Sequence, residues 1–244
     1  MNNFFKKESP LLSVLSLGGG SNSPLVRKRG ALIDLAAGVT PLFNSGPVNS
    51  INFPSLNTNP NAWLFNGASN GPPLSALDHI DYVFPDDVIT NGFSIEFWFN
   101  CTKSTTSFIV TQMNRAGGDP NSCWRIERNN SGSGTIEFGI NSGAGFAGSE
   151  YISSNFPDNQ WLYCVCTFES GTAKIYKNGS IDSTFSATTS PSHQGNNIIR
   201  LGARMDSTPF AYGGQIAEFR LWNYVISANQ VSNTWTSRKA TYGL

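Results

Sequence analysis

Four glutamates in strand-like segments are the side chains best suited to acid–base chemistry: Glu96, Glu127, Glu137 and Glu218. Glycoside hydrolysis needs two carboxyl groups about 5 to 10 Å apart, which one strand commonly offers as alternate residues. These glutamates occur singly, and their charged or polar neighbours favour roles on solvated strand faces. Two histidines, His79 and His193, are few for proton transfer. The sequence therefore predicts a protein that is not an enzyme.

The four cysteines are Cys101, Cys123, Cys164 and Cys166. Cys164 and Cys166 are two residues apart in a strand-like segment, so they point to the same face and are poorly placed to form a disulfide with each other. Their spacing is not that of a zinc site. We expect buried free thiols, in a chain synthesised in a reducing cytoplasm.

A second set of possible metal ligands is acidic and consists of Asp78, Asp81, Asp86 and Asp87. Oxygen-rich loops can bind Ca²⁺ through carboxylates and carbonyl groups. Aspartates near strand ends also act as turn and capping residues, and the sequence favours this second role. We therefore predict no resident metal or cofactor, with calcium as the alternative.

A sugar-binding site is indicated by aromatic residues in or beside loops rich in Asn and Gly. The aromatic candidates are Trp124, Phe146, Tyr151 and Tyr212, and their polar companions are Asn141, Arg204 and Asp206. An aromatic ring can stack against the apolar face of a sugar while amides and charged groups bind its hydroxyls. The alternative for each aromatic residue is a place in the core, which the pattern favours for Trp98, Trp161 and Trp222.

Charge and hydropathy exclude two classes of partner. The formal net charge is zero and only 13% of the residues are charged. The one basic cluster, Arg27-Lys28-Arg29, is too short to indicate nucleic acid binding. No segment approaches the roughly 20 apolar residues of a membrane helix. The sequence predicts neither a nucleic acid partner nor a membrane span.

The segment from Trp161 to Phe185 predicts three consecutive antiparallel strands. A run of aromatic, β-branched and small apolar residues ends at Ser170-Gly171, and a second extended run ends at Asn178-Gly179. Asn-Gly tolerates the two positive φ angles of a type I′ hairpin turn. The chain then returns through Ile181.

Further strands are expected along most of the chain from residue 59. They are Ala62–Phe65, Ile80–Phe84, Phe93–Cys101, Phe108–Met113, Cys123–Arg128, Thr135–Ile140, Asn197–Ala203 and Gln215–Asn223. The first two are expected to pair with each other, and the alternation in Phe93–Cys101 indicates one buried face. Closely spaced strands without helical segments between them predict an all-β fold, a two-sheet antiparallel jelly roll sandwich. A capping-box pair, Ser227 and Gln230, begins a short C-terminal helix.

Residues 1–58 differ from the rest of the chain because they are rich in Gly and Pro and poor in strand patterns. We expect an extended N-terminal arm, with a short helix at Ala31–Ala37, ahead of a domain at residues 59–244. The arm is too apolar for a solvated linker. The apolar residues expected to anchor it to its own domain or to a neighbouring chain are Leu11, Leu12, Val14, Leu15, Leu17, Leu25 and Val26.

The strand sequences resemble those of laminin-G-like, concanavalin A-like jelly roll domains over about residues 59–244. The resemblance lies in the strand at Phe93–Phe99, the strand and hairpin at Trp161–Gly179, Ile198–Gly202, and the closing segment Gly214–Ser227. It implies a curved sandwich that recognises sugars or proteins at its loop rim, sometimes with calcium. Members often carry Asp before the glutamate of the closing strand, where this chain has Ala217, and this difference weakens the expectation of calcium.

Two functions of different class follow from the sequence. The first is a structural or interaction protein of a larger assembly, expected to be a homo-oligomer and to resemble a tailed-bacteriophage virion protein, either a capsid decoration or a tail fibre component. The arm would hold it to the particle and the lectin-like domain would be displayed. The second is a carbohydrate-binding module for which the arm is only a tether.

Overall fold

The computed structural model describes residues 33–36, 55–67, 78–83, 92–102, 106–113, 122–129, 134–141, 150–187, 191, 198–204 and 210–244. These residues form two antiparallel sheets and one short α-helix near the C-terminus. The all-β jelly roll sandwich predicted from the sequence is confirmed.

Fourteen strands are described. They are β1 (Ile33–Ala36), β2 (Ser55–Thr58), β3 (Asn61–Asn66), β4 (Ile80–Val83), β5 (Gly92–Cys101), β6 (Ser107–Met113), β7 (Ser122–Asn129), β8 (Thr135–Ile140), β9 (Glu150–Asn155), β10 (Leu162–Glu169), β11 (Thr172–Lys177), β12 (Ser180–Ser186), β13 (Ile198–Leu201) and β14 (Gly213–Trp222). The larger sheet has the order β12-β11-β10-β5-β14-β3-β2, and β1 also pairs with β14. The smaller sheet has the order β4-β13-β6-β7-β8-β9.

Strand pairing follows the sequence only where the turns are short. The meander β10-β11-β12 is confirmed, and both turns have positive φ angles, 46° at Ser170 with 77° at Gly171, and 49° at Asn178 with 86° at Gly179. The expected pairing of the strands at Ala62–Phe65 and Ile80–Phe84 is wrong, because β3 lies in the larger sheet and β4 in the smaller. Alternation identifies a strand but does not identify its neighbour across a long connection.

Aromatic side chains fill the space between the sheets. Phe93 of the larger sheet contacts Trp124 and Phe138 of the smaller one, with ring centroids 6.1 and 6.0 Å apart. Cys164 and Cys166 are fully buried in this core as free thiols, with their sulfur atoms 3.9 Å apart. Burial raises the pKa of Cys164 well above its ordinary value, so the thiol is neutral.

Part of the outer face of the larger sheet is covered by the C-terminal segment. Helix α1 (Ala228–Arg238) begins at the predicted capping box, in which Ser227 and Gln230 bond each other's backbone N–H groups. A 3-10 turn, Lys239–Tyr242, follows the helix. No helix among the described residues is long and apolar enough to cross a membrane.

Trp98 is the centre of the contact between this segment and the sheet. Its ring lies 4.1 Å from Tyr242, 5.5 Å from Trp235 and 4.9 Å from Tyr163, centroid to centroid, in stacked arrangements. The expectation that β5 has only one buried face is wrong, because Trp98 and Glu96 are fully buried on its second face. This second face of β5 is covered by helix α1, which begins 130 residues after Trp98 in the chain.

Part of the N-terminal segment belongs to the larger sheet. The expected helix at Ala31–Ala37 is wrong, since Ile33–Ala36 forms β1 and pairs antiparallel with the second half of β14. β2 pairs with β3 and ends the sheet. Ile33 is β-branched and lies between Leu32 and Asp34, a pattern compatible with a strand when a sheet edge is available.

The two hairpin glycines allow a direct test of how the helix packs. A Cβ atom at Gly171 would lie 3.4 Å from its nearest neighbour, the Ala187 carbonyl oxygen, whereas one at Gly179 would lie 2.7 Å from Trp235 Cβ. Gly171→Ala should lower the free energy of unfolding by about 1 to 2 kcal/mol because of its positive φ. Gly179→Ala should lower the free energy of unfolding by about 1 to 3 kcal/mol more than Gly171→Ala, because its methyl group also displaces the helix. Urea unfolding measures both, and equal losses would contradict this packing.

Candidate functional site

The aromatic residues that the sequence offers for sugar binding lie mostly in the core. Trp124 and Tyr212 are fully buried and Tyr151 is 5% exposed, so none of them can stack on a sugar. Asn141 is also fully buried. These four assignments are wrong, while Phe146 and Asp206 lie outside the described residues.

The packing of these side chains explains the error. Trp124 shares the inner face of β7 with Ile126 and contacts Phe93 across the sandwich. Tyr212 packs edge to face on Phe65, 5.9 Å away, and its hydroxyl donates to the Gln215 carbonyl oxygen. The alternation of Trp124 with Ile126 was the available signal, since both residues fall on one strand face.

Arg204 is the remaining described candidate, and it is half-buried. Its guanidinium lies 5.4 Å from the Phe108 ring centroid and 5.9 Å from that of Phe210. The Arg204 carbonyl oxygen accepts from Arg200 at 3.4 Å. Arg204 therefore holds a loop against the smaller sheet through cation–π contacts.

The aspartates proposed as calcium ligands have protein partners where they are described. Asp78 accepts from the Asn66 N–H at 2.9 Å, and Asp81 accepts from Arg200 through two bonds of 2.6 and 2.7 Å. In the part of the chain that the structure describes, no group of three or more His, Cys, Asp or Glu could hold a metal ion. Asp86 and Asp87, and the seven apolar residues expected to anchor the arm, lie outside the described residues.

The four glutamates expected on solvated faces are instead buried, with exposed fractions of 0% at Glu96, 6% at Glu127, 4% at Glu137 and 2% at Glu218. That expectation is wrong for all four. Charged residues are almost never fully buried unless they are paired, so each burial implies a partner elsewhere in the chain. Two separate sets of partners are present, one on the outer face of each sheet.

The first set, here called the Arg125 cluster, consists of Arg125, Glu127, Asn129, Glu137 and Glu150 on the smaller sheet. Arg125 donates to Glu137 at 2.9 Å and also to Glu150. Asn129 donates to the other oxygen of Glu137 at 3.0 Å. Glu127 and Glu137 are direct cross-strand neighbours on β7 and β8.

Glu127 has the most altered acidity in the Arg125 cluster. Burial raises the pKa of this carboxyl, and although Arg125 lowers it, Glu137 and Glu150 raise it further, to about 8. Arg125 Nε lies 3.8 Å from the Glu127 carboxyl, which is too long for a hydrogen bond. One arginine therefore does not neutralise three carboxyl groups, and Glu127 retains its proton near neutral pH.

The second set, here called the Arg220 network, consists of Asp34, Glu96, Glu218, Arg220 and Arg238 with their tyrosine partners. Arg220 donates to Glu218 at 2.6 Å, to Asp34 at 2.8 Å and to Glu96 at 3.3 Å. Arg238 of the helix also donates to Glu218. Burial alone would raise the pKa of Glu218, but Arg220 and Arg238 hold it below its ordinary value.

Two tyrosines complete the Arg220 network. The Tyr242 hydroxyl donates to Glu218 at 2.7 Å, and the Tyr163 hydroxyl donates to Glu96 at 2.9 Å. Burial and the neighbouring carboxylate raise the pKa of each phenol, so both remain donors. The network joins the sheet to the C-terminal segment, with Glu96, Glu218 and Arg220 buried at its centre and Asp34 and Arg238 partly exposed at its margin.

An open groove lies on the same outer face, at the tip of the β10-β11 hairpin. It has a volume of about 260 Å³ and is lined by Thr167, Glu169, Ser170, Thr172, Lys174 and Val225. Thr167 faces Lys174 across the two strands, and Glu169 faces Thr172. The groove therefore offers hydroxyls, one carboxylate and one ammonium group to a polar ligand.

Tyr224, next to Val225 in the chain, is the aromatic residue that the sequence reasoning missed. Its side chain is 38% exposed, and its ring meets Trp222 edge to face at 5.5 Å. The Tyr224 carbonyl oxygen accepts from Ser94 Oγ at 2.9 Å, which fixes the backbone beside β5. The signal was its position just after the last strand, where a side chain no longer has to fit the core.

Solved structures with the same fold include bacterial toxin domains and a pentraxin. The binding domain of botulinum neurotoxin serotype D is 15% identical, with a TM-score of 0.63 over 86% of this chain and 52% of that chain. The serotype G binding domain is 16% identical, with a TM-score of 0.64 over 86% and 51%. The heptameric SAP-like pentraxin from Limulus polyphemus is 14% identical, with a TM-score of 0.53 over 70% and 80%. This chain spans about half the length of the toxin domains.

The sequence itself matches no curated protein. A model of the concanavalin A-like lectin/glucanases superfamily matches residues 78–232, which include β4 to β14 and the start of the helix. This is the family that the strand sequences resemble. The chain belongs to the concanavalin A-like lectin/glucanases superfamily.

Proposed function

We propose that this chain is a non-enzymatic binding domain of a larger assembly, and that its ligand occupies the groove at the β10-β11 hairpin. The observation that carries the proposal is the contrast between the two kinds of polar site. Glu96, Glu137 and Glu218 are bound by arginines or tyrosines within the fold, whereas the groove is open, carries hydroxyl groups and is lined by Val225, the chain neighbour of the exposed Tyr224.

The family also contains glucanases, so the Glu127–Glu137 pair has to be weighed as a catalytic pair. Their cross-strand placement and the high pKa of Glu127 would suit an acid and its partner. A glycosidic bond must reach both carboxyl groups, yet they are only 6% and 4% exposed. Glu137 is further bound by Arg125 and Asn129. Burial and bonding favour a structural role.

A hydroxyl-rich ligand suits the groove best, and sugars are the main class of such ligands. Glu169, Ser170, Thr172 and Lys174 can exchange hydrogen bonds with sugar hydroxyls, whereas Thr167 is buried. The exposed ring of Tyr224, one residue from the lining residue Val225, is the aromatic side chain that we propose for the apolar face. One structural neighbour, botulinum neurotoxin type C, enters cells through interaction with two ganglioside molecules. That observation on a distant protein supports a glycan ligand here.

The assembly that we propose is the virion of a tailed bacteriophage, in which the chain is a capsid decoration or fibre component. β1 and β2 tie residues 33–36 and 55–58 to the larger sheet, and we assign the anchor to the apolar residues ahead of β1 in the sequence. Low charge and a composition rich in Gly and Asn are compatible with a displayed virion surface. Binding and display are compatible roles of one protein.

The groove can be tested with a glycan array. Tyr224→Ala should reduce binding about tenfold or more, since loss of an aromatic contact amounts to about 1.5 kcal/mol. Leu64→Ala, which truncates another exposed apolar side chain on the same sheet, should bind like the wild type. Circular dichroism checks that both variants are folded. A wild-type chain that binds no glycan on the array would contradict the sugar ligand.

The assembly role can be tested by deletion of residues 1–32, which removes the apolar candidates and keeps β1 with its Asp34–Arg220 bond. The shortened chain should fold normally and lose most of its incorporation into virions, measured by quantitative mass spectrometry of purified particles. A deletion of residues 1–10 ends before the first of these apolar residues and is the control. Full incorporation of the chain without residues 1–32 would argue against an anchoring arm.

The structural role of Glu127 predicts a specific dependence of stability on pH. Its folded pKa, about 8, lies above the ordinary value of 4.5, so the folded protein retains a proton that the unfolded chain releases. This stabilisation is complete below pH 4.5 and is lost as the pH rises through about 8. Glu127→Gln should remove that decline in melting temperature and leave glycan binding unchanged. Glu169→Gln, at an exposed position, is the control for stability and should keep the decline.

A further inference from the structure

Five strands pair with only one other strand among the described residues and so form sheet edges. They are β1, β2 and β12 in the larger sheet and β4 and β9 in the smaller. An edge strand presents unpaired backbone N–H and C=O groups, and proteins commonly protect such edges with charged side chains or by covering them. The protection of these five edges differs.

Four of the edges carry an acidic residue that is already bonded. Asp34 in β1 accepts from Arg220, Asp81 in β4 accepts from Arg200, Glu150 in β9 accepts from Arg125, and Asp182 in β12 accepts from Ser154. β4 is also covered, since Ile80 and Tyr82 are 2% and 0% exposed. These edges are closed to a further strand by charge, by contacts or by both.

β2 differs from the other four edges. Its sequence, Ser55-Leu56-Asn57-Thr58, has no charged residue. Leu56 is 49% exposed although it lies opposite Trp63, a core residue with 4% exposure. Leu64, on the adjacent strand, is 41% exposed. Leu56 and Leu64 are therefore exposed at the β2 end of the larger sheet, and β2 itself supplies no charge to protect its backbone edge.

We propose that β2 pairs antiparallel with β2 of a second copy of this chain, which extends the larger sheet through a two-fold axis. In such a pairing each residue faces a residue of the same short segment, so a charged strand would repel its own copy. β2 is the edge among those described that lacks this repulsion. The chain has no formal net charge, so two copies also lack long-range repulsion.

The geometry selects a narrow set of registers. A two-fold axis normal to the sheet places the core-facing sides of both copies on the same side of the extended sheet. The axis must then pass beside one residue, which lies directly opposite the same residue of the second copy. In a strand this short, that residue is either Leu56 or Asn57. The Leu56 register covers the larger exposed apolar area, because the two leucines then pack on each other beside Trp63. The contact is short, and we expect a weak dimer that is strengthened by the multiple attachments of an assembly. In that respect the inference rests on the assembly role proposed above.

Sedimentation velocity of the full chain tests the contact across a concentration series. The wild type should show a reversible monomer–dimer equilibrium. Leu56→Lys should raise the dissociation constant of the dimer at least tenfold. Ile181→Lys is the matched control, because Ile181 is equally exposed, at 52%, on the edge strand β12. It should dimerise like the wild type. A monomeric wild type, or a dimer unaffected by Leu56→Lys, would overturn the proposal.

Cysteine variants of the full chain locate the axis. Oxidation should convert Leu56→Cys, or Asn57→Cys in the neighbouring register, into a disulfide-linked dimer on non-reducing gels. Ile181→Cys and the wild type, whose described cysteines are buried, should form no disulfide-linked dimer and should migrate as monomers on these gels. Absence of cross-linking at both β2 positions overturns the contact. The assembly role is judged separately by incorporation of the chain without residues 1–32, so the two failures are distinguishable.

Discussion

Arg220 links four parts of the chain that are distant in sequence. From β14 it bonds Asp34 of β1, Glu96 of β5 and Glu218 of its own strand, and Glu218 in turn binds Arg238 and Tyr242 of the C-terminal segment. An arginine removed from water has to be matched by carboxylates, and these carboxylates have to be matched by further donors. The network is favourable only when all of its members are present. The second layer over the larger sheet depends on this condition.

The aromatic stack around Trp98 and the Arg220 network reinforce each other. The helix brings Trp235 and the 3-10 turn brings Tyr242 onto Trp98, while Tyr242 also reaches Glu218 with its hydroxyl. One side chain thus contributes both a ring contact and a hydrogen bond. The rings exclude water, and this strengthens the neighbouring ion pairs because they lie in a less polar environment. The ion pairs in turn fix the position of the rings. The C-terminal segment is consequently part of the fold.

Local patterns predicted the strands well and their environment poorly. The hairpin turns at Ser170-Gly171 and Asn178-Gly179 and the cap at Ser227 could be predicted because each depends on a few adjacent residues. The burial of Glu96 and Glu218 could not be predicted, because it depends on a C-terminal helix that contacts them only in the folded structure. Trp124 and Tyr212 lie beside Asn- and Gly-rich segments, which suggest exposure, although the alternation of Trp124 with Ile126 indicates the core face of β7 and Tyr212 directly precedes β14. Tyr224 follows the last strand, and only the structure shows that its ring is exposed.

The saturation of the buried charges leaves the protein with few described places for recognition. Arg125 and Arg220 bind carboxylates within the chain, so both arginines already have protein partners. Among the described residues, two surfaces remain: the open, polar groove lined by Val225, and the β2 edge, which has no charged residue and exposes Leu56. A hydroxyl-rich ligand needs the first kind of surface and a second copy of a neutral chain needs the second. The two surfaces lie at different strands of the larger sheet, β10-β11 and β2, at opposite ends of its strand order, so occupation of one leaves the other open.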